Sequence, residues 1–317
     1  MSVLAGRRIL VTGALGQIGT DLVECLREIY GPNMVLASDI RDVSDHSSVL
    51  NGPFSVLDVL NNEDLLRLIE KEKIQTIFHL AAILSAKGEE NPELCESVNV
   101  NGTRNILDAA RRYGIRVFIP SSIAVFGPDA PKHAPQITAL NPTTKYGQTK
   151  VDCEIMGMLY WKKYGVDVRG IRYPGLISWK SQVSGGTTDY AVDIFHAALS
   201  EKKSYDCFLN GDTTLPMMYM DDAIRATISL MDAPLETLSS ARCGYNISGL
   251  SFCAEDLSSE IKKHIPNFIC NYKPDVRQNY ADSWPDSIDD EIARNDWNWE
   301  PSFDLVEIVE DMIENLS

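Results

Sequence analysis

The chain has 317 residues, of which 45 are acidic and 29 are basic, so its formal net charge is −16. This charge excludes electrostatic binding to nucleic acid or to an anionic membrane as the main activity. Hydrophobic residues make up 44% and charged residues 23% of the chain, which excludes general disorder and allows a sizeable core.

The amino-terminal half alternates short apolar strands with longer helical patterns. Strands are predicted at 8–12, 35–38, 56–57, 76–80, 116–121 and 168–172, and helices at 18–30, about 65–69, 101–113 and 145–164. Helices placed between consecutive strands are typical of βαβ units, which build a parallel sheet with helices on both faces. The sequence therefore predicts an α/β fold, in which residues 1–173 form a Rossmann-like doubly wound parallel sheet that carries the catalytic residues.

The remaining residues, 174–317, predict a smaller, mixed substrate-binding lobe that is interleaved with the first domain. Residues 174–188 are rich in Gly, Ser and Thr and predict a loop. Either Asp221 or Asp222 is expected to cap the helix that follows it, and Met217–Met220 are expected in the core. Further elements are predicted as helices at 190–199, 254–265 and 303–316, a short strand within 210–220 and a short apolar element at 244–247.

The cysteines and histidines indicate neither a disulfide framework nor a metal site. The seven cysteines are scattered without a CxxC pair, which favours free thiols and a reducing compartment, either cytoplasm or mitochondrial matrix. The five histidines share no ligand spacing, and His79 at a strand end is expected to be buried and satisfied. No apolar run approaches the length of a membrane span, and no targeting segment is visible at the N-terminus.

Three glycines follow the first strand and predict a phosphate-binding turn. Gly13, Gly16 and Gly19 suit a tight turn, a close approach of the backbone to a pyrophosphate, and a helix N-terminus with free N–H groups. Asp39 ends the second strand, where an acidic side chain accepts hydrogen bonds from the adenosine ribose. Its charge would repel a 2′-phosphate, so the predicted cofactor is NAD. Arg41 nearby is either a solvated loop residue or a neighbour of the adenine.

A serine, a tyrosine and a lysine form the second motif. Tyr146 and Lys150 are four residues apart at the start of a helix and therefore share one face. A lysine ammonium beside a phenol favours the phenolate, which lets a tyrosine act as a general base. Ser122 ends a strand at the carboxyl edge of the predicted sheet, where ligands bind in open α/β folds.

Together these motifs resemble the extended branch of the short-chain dehydrogenase/reductase superfamily over about residues 7–173. The similar segments are TGALGQIG (12–19), DV (58–59), HLAA (79–82), NVNGT (99–103), PSSIAVFG (120–127) and YGQTK (146–150). The resemblance implies that Ser122, Tyr146 and Lys150 are the catalytic residues. It also implies cofactor contacts from Gly13, Gly16, Gln17, Ile18, Gly19, Asp39, Ile40, Arg41, Asp58, Val59, Leu80, Ala81, Ala82, Asn99, Tyr146, Lys150, Tyr173 and Leu176. Asn99 has a second interpretation as a helix cap, and HLAA one as a buried strand end.

Segments of the second half narrow the resemblance to one family. YPGLIS (173–178), GGTTDYAVD (185–193), MMYMDDA (217–223) and ADSWPDSIDD (281–290) are similar to the short-chain type of L-threonine 3-dehydrogenase. The resemblance implies NAD-dependent oxidation of the C3 hydroxyl of L-threonine to 2-amino-3-oxobutanoate, with Tyr146 as general base. The alternative is a nucleotide-sugar epimerase or dehydratase of the same superfamily, although the R-Y-x-N-V-Y-G-P pattern of those enzymes is replaced here by IRYPGLIS (171–178).

The same resemblance implies a set of substrate contacts. They are Ser85, Ser122, Tyr146, Thr187, Thr188 and Trp284. Thr187 and Thr188 have a second interpretation as an ordinary turn, and Trp284 one as a half-buried packing residue. Asp189 either pairs with the substrate ammonium or caps the next helix.

Two further expectations concern motion and assembly. The loop at 181–188 and the segment around Trp284 are candidates for a lid that closes on the substrate. The helix at 145–164 carries apolar residues on broad faces, among them Val151, Ile155, Met158 and Leu159. One face is expected to pack on the sheet, and the other to form a homodimer as the superfamily commonly does.

Overall fold

Short strands and helices alternate along the first half of the chain, and smaller sheets follow. The computed structural model describes residues 2–43, 49, 51–180 and 185–317. Within these ranges the strands are β1 (Ile9–Thr12), β2 (Val35–Asp39), β3 (Phe54–Val56), β4 (Thr76–His79), β5 (Arg116–Phe118), β6 (Ser121–Ser122), β7 (His133–Ala134), β8 (Val168–Arg169), β9 (Ile171–Tyr173), β10 (Gly175–Ile177), β11 (Ser204–Cys207), β12 (Thr214–Tyr219), β13 (Tyr245–Asn246), β14 (Leu250–Cys253), β15 (Ile269–Tyr272) and β16 (Ser287–Ile288). The α-helices are α1 (Gln17–Tyr30), α2 (Asn62–Glu72), α3 (Ser85–Glu90), α4 (Pro92–Glu96), α5 (Thr103–Tyr113), α6 (Lys145–Tyr164), α7 (Tyr190–Leu199), α8 (Met220–Asp232), α9 (Ala254–His264), α10 (Val276–Asp282), α11 (Glu291–Trp297) and α12 (Leu305–Leu316).

The central sheet has the strand order β3-β2-β1-β4-β5-β8, and all its neighbouring strands are parallel. Every residue of β1, β2, β4 and β5 is buried, as expected for a sheet that helices cover on both faces. The strand order reverses between β1 and β4, and ligands bind in the crevice outside the carboxyl ends of the strands at such a switch point. The predicted Rossmann-like doubly wound sheet is confirmed.

The sequence of the first helix favours ligand binding at this crevice. Leu22, Val23 and Leu26 are buried on one face of α1 and fix it against the sheet. Its N-cap is Gly16, which offers no side-chain cap, and no acidic residue stands in the first turn of this fully described helix. The first N–H groups of α1 are therefore left for a ligand.

The second half of the chain is interleaved with the first. Strand β13 pairs with β9, which also pairs with β6, and β16 pairs with β7. Strands β10, β12 and β14 form a separate sheet, and β11 pairs with β15. Strands from either side of residue 173 therefore pair with each other. The predicted division into two domains at residue 173 stays a prediction.

Several local predictions differ from the structure. The predicted loop at 174–188 contains β10, which exists because it pairs with β12, more than 35 residues later in the chain. Helix α8 begins at Met220 with Tyr219 as its N-cap, so neither predicted aspartate caps it. Asp222 is buried and instead accepts hydrogen bonds from the backbone N–H groups of Ser302 and Phe303 at 2.8 and 3.2 Å. A π-helical turn, Ser97–Gly102, precedes α5 and replaces the start of the predicted helix.

A further expectation, about the core, holds within the described ranges. Met217–Met220 are buried, as predicted. All seven cysteines are free thiols. No group of three or more metal-ligating side chains was found among the described residues, and none of the helices found there has the length and apolarity that a membrane crossing needs.

Candidate active site

A cavity lies at the carboxyl edge of the central sheet, and residues from both halves of the chain line it. The predicted site residues that line it are Gly13, Gly16, Gln17, Ile18, Gly19, Leu80, Ala82, Ser85, Ser122, Tyr146, Lys150, Tyr173, Leu176, Thr187, Thr188 and Trp284. Residues separated by more than 250 positions in sequence therefore meet around one space. Eleven of the predicted cofactor residues, and all the predicted catalytic and substrate residues, are therefore neighbours in this cavity.

The glycine turn is shaped as a cradle with no room for side chains. Gly13 has a φ of +68°, and a Cβ atom there would lie 2.5 Å from the backbone nitrogen of Ala81. A Cβ atom on Gly19 would lie 2.3 Å from the carbonyl oxygen of Gly13. The turn therefore holds α1 close to β1 and β4, with the free N–H groups of the helix facing the cavity. This cradle fits the pyrophosphate of a dinucleotide.

Asp39 stands at the end of β2 as an ionised, firmly held carboxylate. It is buried and accepts hydrogen bonds from the backbone N–H groups of Leu15 and Arg41, both at 3.1 Å. The Arg41 guanidinium adds two bonds, at 3.0 and 3.3 Å. Burial raises the pKa of Asp39, but the hydrogen bonds from Arg41 and Leu15 outweigh it and leave the pKa below its usual value. Arg41 is thus paired with Asp39 and is more than half exposed.

Seven of the predicted cofactor residues stand outside the lining of the cavity, namely Asp39, Ile40, Arg41, Asp58, Val59, Ala81 and Asn99. Ile40 and Asp58 are exposed, beyond the ends of β2 and β3. Val59 is buried against Gly102. The cofactor roles of these residues remain predictions.

Asn99 connects two walls of the site, and its predicted alternative as a helix cap is wrong. Its amide is buried and bonds both to the N–H of Ile83, at 2.8 Å, and to the carbonyl of Ile83, at 3.0 Å. It also donates to Thr149 Oγ1 at 3.0 Å. The side chain therefore ties the loop after β4 to the helix that carries Lys150. The π-helical turn, which sequence periodicity missed, places it there.

The three predicted catalytic residues come from two elements. Ser122 ends β6, and its Oγ accepts the N–H of Ala124 at 3.2 Å. Tyr146 lies in the first turn of α6, which Thr144 caps by accepting the N–H of Gly147. Lys150 is buried; its Nζ donates to the carbonyl of Pro120 at 3.0 Å and lies 5.5 Å from the centroid of the Tyr146 ring. A fixed ammonium beside a phenol is the arrangement that supports a tyrosine base.

Two charged or titratable residues lie near the catalytic residues, and one of them, His79, differs from expectation. Lys145, a second cation next to the tyrosine in sequence, forms a 2.6 Å ion pair with Glu96. His79 is buried, and its Nδ1 bonds to Thr12 Oγ1 at 2.9 Å, but its Nε2 has no hydrogen-bond partner among the described residues. Burial, aided by the charge of Lys150, lowers the pKa of His79 to about 3. The histidine is therefore neutral, and it is only partly satisfied.

The predicted substrate residues form the opposite wall. Thr187 is buried, Thr188 and Ser85 are half-buried, and Trp284 is buried while also facing the cavity. Asp189 accepts the N–H groups of Gly185 and Gly186 at 2.8 and 2.6 Å, so its carboxylate fixes the turn before the two threonines. It makes no side-chain cap to α7. Of the predicted lid, residues 181–184 lie outside the described residues.

The sequence predictions missed several lining residues. Pro120, Ser121, Ile123 and Ala124 surround Ser122, and Gly175 lies against Thr188, whose Cβ would be 2.7 Å from a Cβ on the glycine. The Pro-Gly dipeptide at 174–175 was the available signal for Gly175, because such pairs mark special backbone turns. The others face the cavity because β6 ends there, which only the sheet pairing reveals.

Comparison with known proteins gives consistent results for the fold and the family. The family model described as "NAD dependent epimerase/dehydratase family" matches residues 9–247. The mitochondrial L-threonine 3-dehydrogenase of Bos taurus is 46% identical over 97% of this chain and 82% of its own length. An uncharacterized epimerase/dehydratase of Staphylococcus haemolyticus is 49% identical over 96% of both chains. A solved structure named as a monomeric L-threonine 3-dehydrogenase from a metagenome is 54% identical, with a TM-score of 0.93 over 97% of this chain and 98% of that one. The chain therefore belongs to the NAD dependent epimerase/dehydratase family.

Proposed function

We propose that this protein is an L-threonine 3-dehydrogenase, which oxidises the C3 hydroxyl of L-threonine to 2-amino-3-oxobutanoate with NAD as cofactor. One observation carries the proposal: the glycine cradle, the serine, tyrosine and lysine, and the Thr187–Thr188 segment line one cavity. The similarity to an L-threonine 3-dehydrogenase extends over 97% of the chain. It therefore includes the cavity residues that come from the second half of the chain. The epimerase family match is compatible, because it names the wider family.

The cradle residues hold the cofactor in this proposal. The N–H groups of α1 beside Gly16 bind the pyrophosphate, and the Asp39 carboxylate accepts the ribose hydroxyls. Leu80, Ala82 and Leu176 supply the apolar wall toward the reacting ring. When bound, NAD⁺ accepts the hydride that leaves the C3 carbon of the substrate.

The catalytic residues handle one proton. Ser122 Oγ bonds to the C3 hydroxyl and orients it, and the Tyr146 phenolate oxygen accepts its proton. The Lys150 ammonium, held by the carbonyl of Pro120, stabilises the negative charge on the Tyr146 oxygen. The proton transfer and the orientation are the contributions of the chain itself.

The second wall recognises a zwitterion. The hydroxyls of Ser85, Thr187 and Thr188 can donate hydrogen bonds to a carboxylate and accept them from an ammonium. All three residues line the cavity. Trp284 covers this part of the cavity and excludes water. The lid closure of the 181–188 loop remains a prediction, tested by whether NAD⁺ plus threonine protects the loop from limited proteolysis.

The reaction is tested by following NADH formation at 340 nm with L-threonine and NAD⁺. We expect activity in the wild type, its loss in Tyr146→Phe, and its retention in the matched control Tyr113→Phe, which alters a half-buried tyrosine on α5 that does not line the cavity. Nucleotide sugars serve as competing ligands in a thermal-shift assay. An inactive wild type that a UDP-sugar stabilises would replace the proposal with the epimerase alternative.

We also propose that the protein forms a homodimer through α6. Ile155 and Leu159 on this helix are 55% and 56% exposed, although they are large and apolar. Light scattering after size exclusion should give twice the chain mass, and Leu159→Glu should give the monomer. Val276→Glu, at an exposed apolar position elsewhere, is the matched control. A wild-type monomer, as named for the metagenome relative, would contradict the proposal.

The compartment proposed is cytoplasm or mitochondrial matrix. Seven free thiols, several of them buried, favour a reducing environment. Fractionation of the native cells tests this, and recovery of the protein outside the cell would overturn it.

A further inference from the structure

A buried ion pair lies directly behind the catalytic serine. Glu154 and Arg172 are 11% and 8% exposed, and the guanidinium donates to both carboxylate oxygens, at 2.9 and 2.7 Å. The same carboxylate accepts the hydroxyl of Ser121 at 2.5 Å. Ser121 lines the active-site cavity, whereas Glu154 and Arg172 stand outside its lining. The pair therefore touches the site through Ser121.

Glu154 and Ser121 lie on the two elements that carry the proposed catalytic residues, and Arg172 lies on the neighbouring strand β9. Glu154 follows Lys150 by one helical turn on α6, so the two share a face. Ser121 precedes Ser122, and β6 pairs with β9 in the register Ser121↔Arg172. The ion pair is thus one side-chain connection between the helix of the base and the strand of the serine, beside the bond from Lys150 to the carbonyl of Pro120.

Arg172 extends the connection into the second half of the chain. Its remaining donor bonds to the carbonyl of Gln136 and to Asn246 Oδ1, both at 3.2 Å. Gln136 in turn accepts the N–H of Asn246 at 2.8 Å and donates to the carbonyl of Gly244 at 2.8 Å. Each nitrogen of the guanidinium and each oxygen of the carboxylate therefore has a hydrogen-bond partner, and the geometry has little freedom.

We propose that Glu154 and Arg172 are positioning residues, which set the placement of Ser122 relative to Tyr146 and Lys150. This inference rests on the proposed function. A planar bidentate pair fixes both distance and angle, and a shift of about 1 Å in a reacting group lowers a rate by about 100-fold. Binding of the cofactor depends on the glycine cradle on the other side of the cavity and is independent of the pair.

The test compares four proteins: the wild type, Glu154→Gln, Arg172→Met and the double variant Glu154→Gln/Arg172→Met. Either single change leaves one buried group without its partner and destabilises the fold, whereas the double change removes both charges together and is expected to restore stability. If the pair only stabilises the fold, the double variant recovers kcat as well. If it positions the serine, the double variant recovers its melting temperature but keeps a kcat about 10- to 100-fold below the wild type.

Two further readouts separate the possible failures. NADH binding, followed by fluorescence, should stay within about 2-fold of the wild type in every variant that folds, because the cradle is untouched. Hydrogen–deuterium exchange of peptides covering residues 119–126 should rise in the double variant, and this readout needs no substrate. The matched control is Asp167→Asn, which breaks a buried arginine cluster at the other edge of the sheet and should leave the kcat and the exchange of this segment unchanged.

The outcomes are distinguishable. A wild type that does not oxidise threonine overturns the proposed function, and the exchange measurement still tests the positioning role. Full kcat in the stable double variant, or unchanged exchange at 119–126, overturns the inference. An equal loss of kcat in Asp167→Asn also overturns it, because the effect would then be general destabilisation.

Discussion

The two edges of the central sheet each hold a largely buried carboxylate that pairs with arginine, but the two clusters make their other hydrogen bonds to different groups. At the amino edge, Asp167 pairs with Arg116, Arg169 and Arg242 at 2.6, 2.9 and 2.5 Å. Burial raises the pKa of Asp167, but the hydrogen bonds and charges of the arginines, Arg169 first, hold it below the usual value. The carboxylate is therefore ionised at neutral pH.

The arginines of the amino edge donate their other hydrogen bonds to backbone carbonyls. Arg169 donates to the carbonyls of Leu230 and Ala233, and Arg116 donates to that of Met231. These carbonyls belong to the carboxyl end of α8, where cations are favourable because of the helix dipole. The cluster thus holds a helix onto the sheet, and none of its four residues lines the candidate active-site cavity.

The cluster of the carboxyl edge forms a hydrogen bond with a side chain that lines the candidate active site. Glu154 and Arg172 also form a pair of a carboxylate and a guanidinium. The Glu154 carboxylate, however, also accepts the hydroxyl of Ser121, which lines the cavity. Because ligands bind at the carboxyl ends of the strands, only this cluster can affect a reacting group. The comparison teaches that position in the sheet, more than composition, decides whether a buried ion pair serves the fold or the reaction.

The largest effect is expected at the carboxyl edge. Lys150→Met removes the ammonium beside Tyr146 and should lower kcat for threonine oxidation by about 100- to 10,000-fold, the range of a general-base contribution. The melting temperature should change little by comparison. Lys145→Met is the matched control, because this lysine pairs with Glu96 and should retain most of the activity. Equal losses in both variants would contradict the role of Lys150.

Asp167→Asn should show the opposite behaviour at the amino edge. It leaves three buried or half-buried guanidinium groups without their carboxylate, and breaking a buried pair costs about 3 to 5 kcal/mol in the free energy of unfolding. Urea denaturation measures this loss, while the kcat of the folded fraction should equal the wild-type value. Asp64→Asn breaks an exposed pair with Arg67 and should change the free energy by less than about 1 kcal/mol.

A buried carboxylate on α1, Asp21, extends the comparison because none of the ion pairs found among the described residues joins it to an arginine. Burial raises its pKa to about 6, and Lys180, 3.6 Å away, lowers it only in part. The raised pKa means that the folded state binds this proton more tightly than the unfolded state. The free energy of unfolding should therefore fall as the pH rises from about 4 to 6, by about 3 kcal/mol from this group.

Asp21→Asn should remove this pH dependence and stabilise the protein at pH 8. Urea denaturation at pH 5 and pH 8 measures both effects. Glu28→Gln, on the same helix, is the control for a general change in charge. An Asp21→Asn variant that is less stable than the wild type at pH 8 would show that the bonds of the ionised side chain outweigh its burial.

The smallest effect is expected for Arg41→Ala at the cofactor end. The guanidinium is 57% exposed, and exposed ion pairs contribute about 1 kcal/mol or less. NADH affinity, measured by fluorescence titration, should weaken by less than about 5-fold. A larger loss would mean that Arg41 contacts the adenosine directly and does more than hold Asp39.

The sequence by itself determined the elements whose signals are local. The alternation of strands and helices identified the parallel sheet, and the three glycines predicted a turn in which Gly13 has positive φ. The spacing of Tyr146 and Lys150 placed both on one helical face, which the shared cavity agrees with. These features depend on residues a few positions apart, so backbone sterics and helical periodicity suffice to predict them.

Only the tertiary structure decided the features whose partners are distant in the chain. Strand β10 forms by pairing with β12, Asn99 bonds to Thr149 fifty residues later, and Arg172 joins Glu154 and Asn246. Each of these residues has several possible partners in sequence, and burial selects one of them because an unpaired polar group in the interior is costly. Sheet pairing and burial, which no local pattern encodes, therefore fixed the walls of the cavity around the motifs that the sequence had already made recognisable.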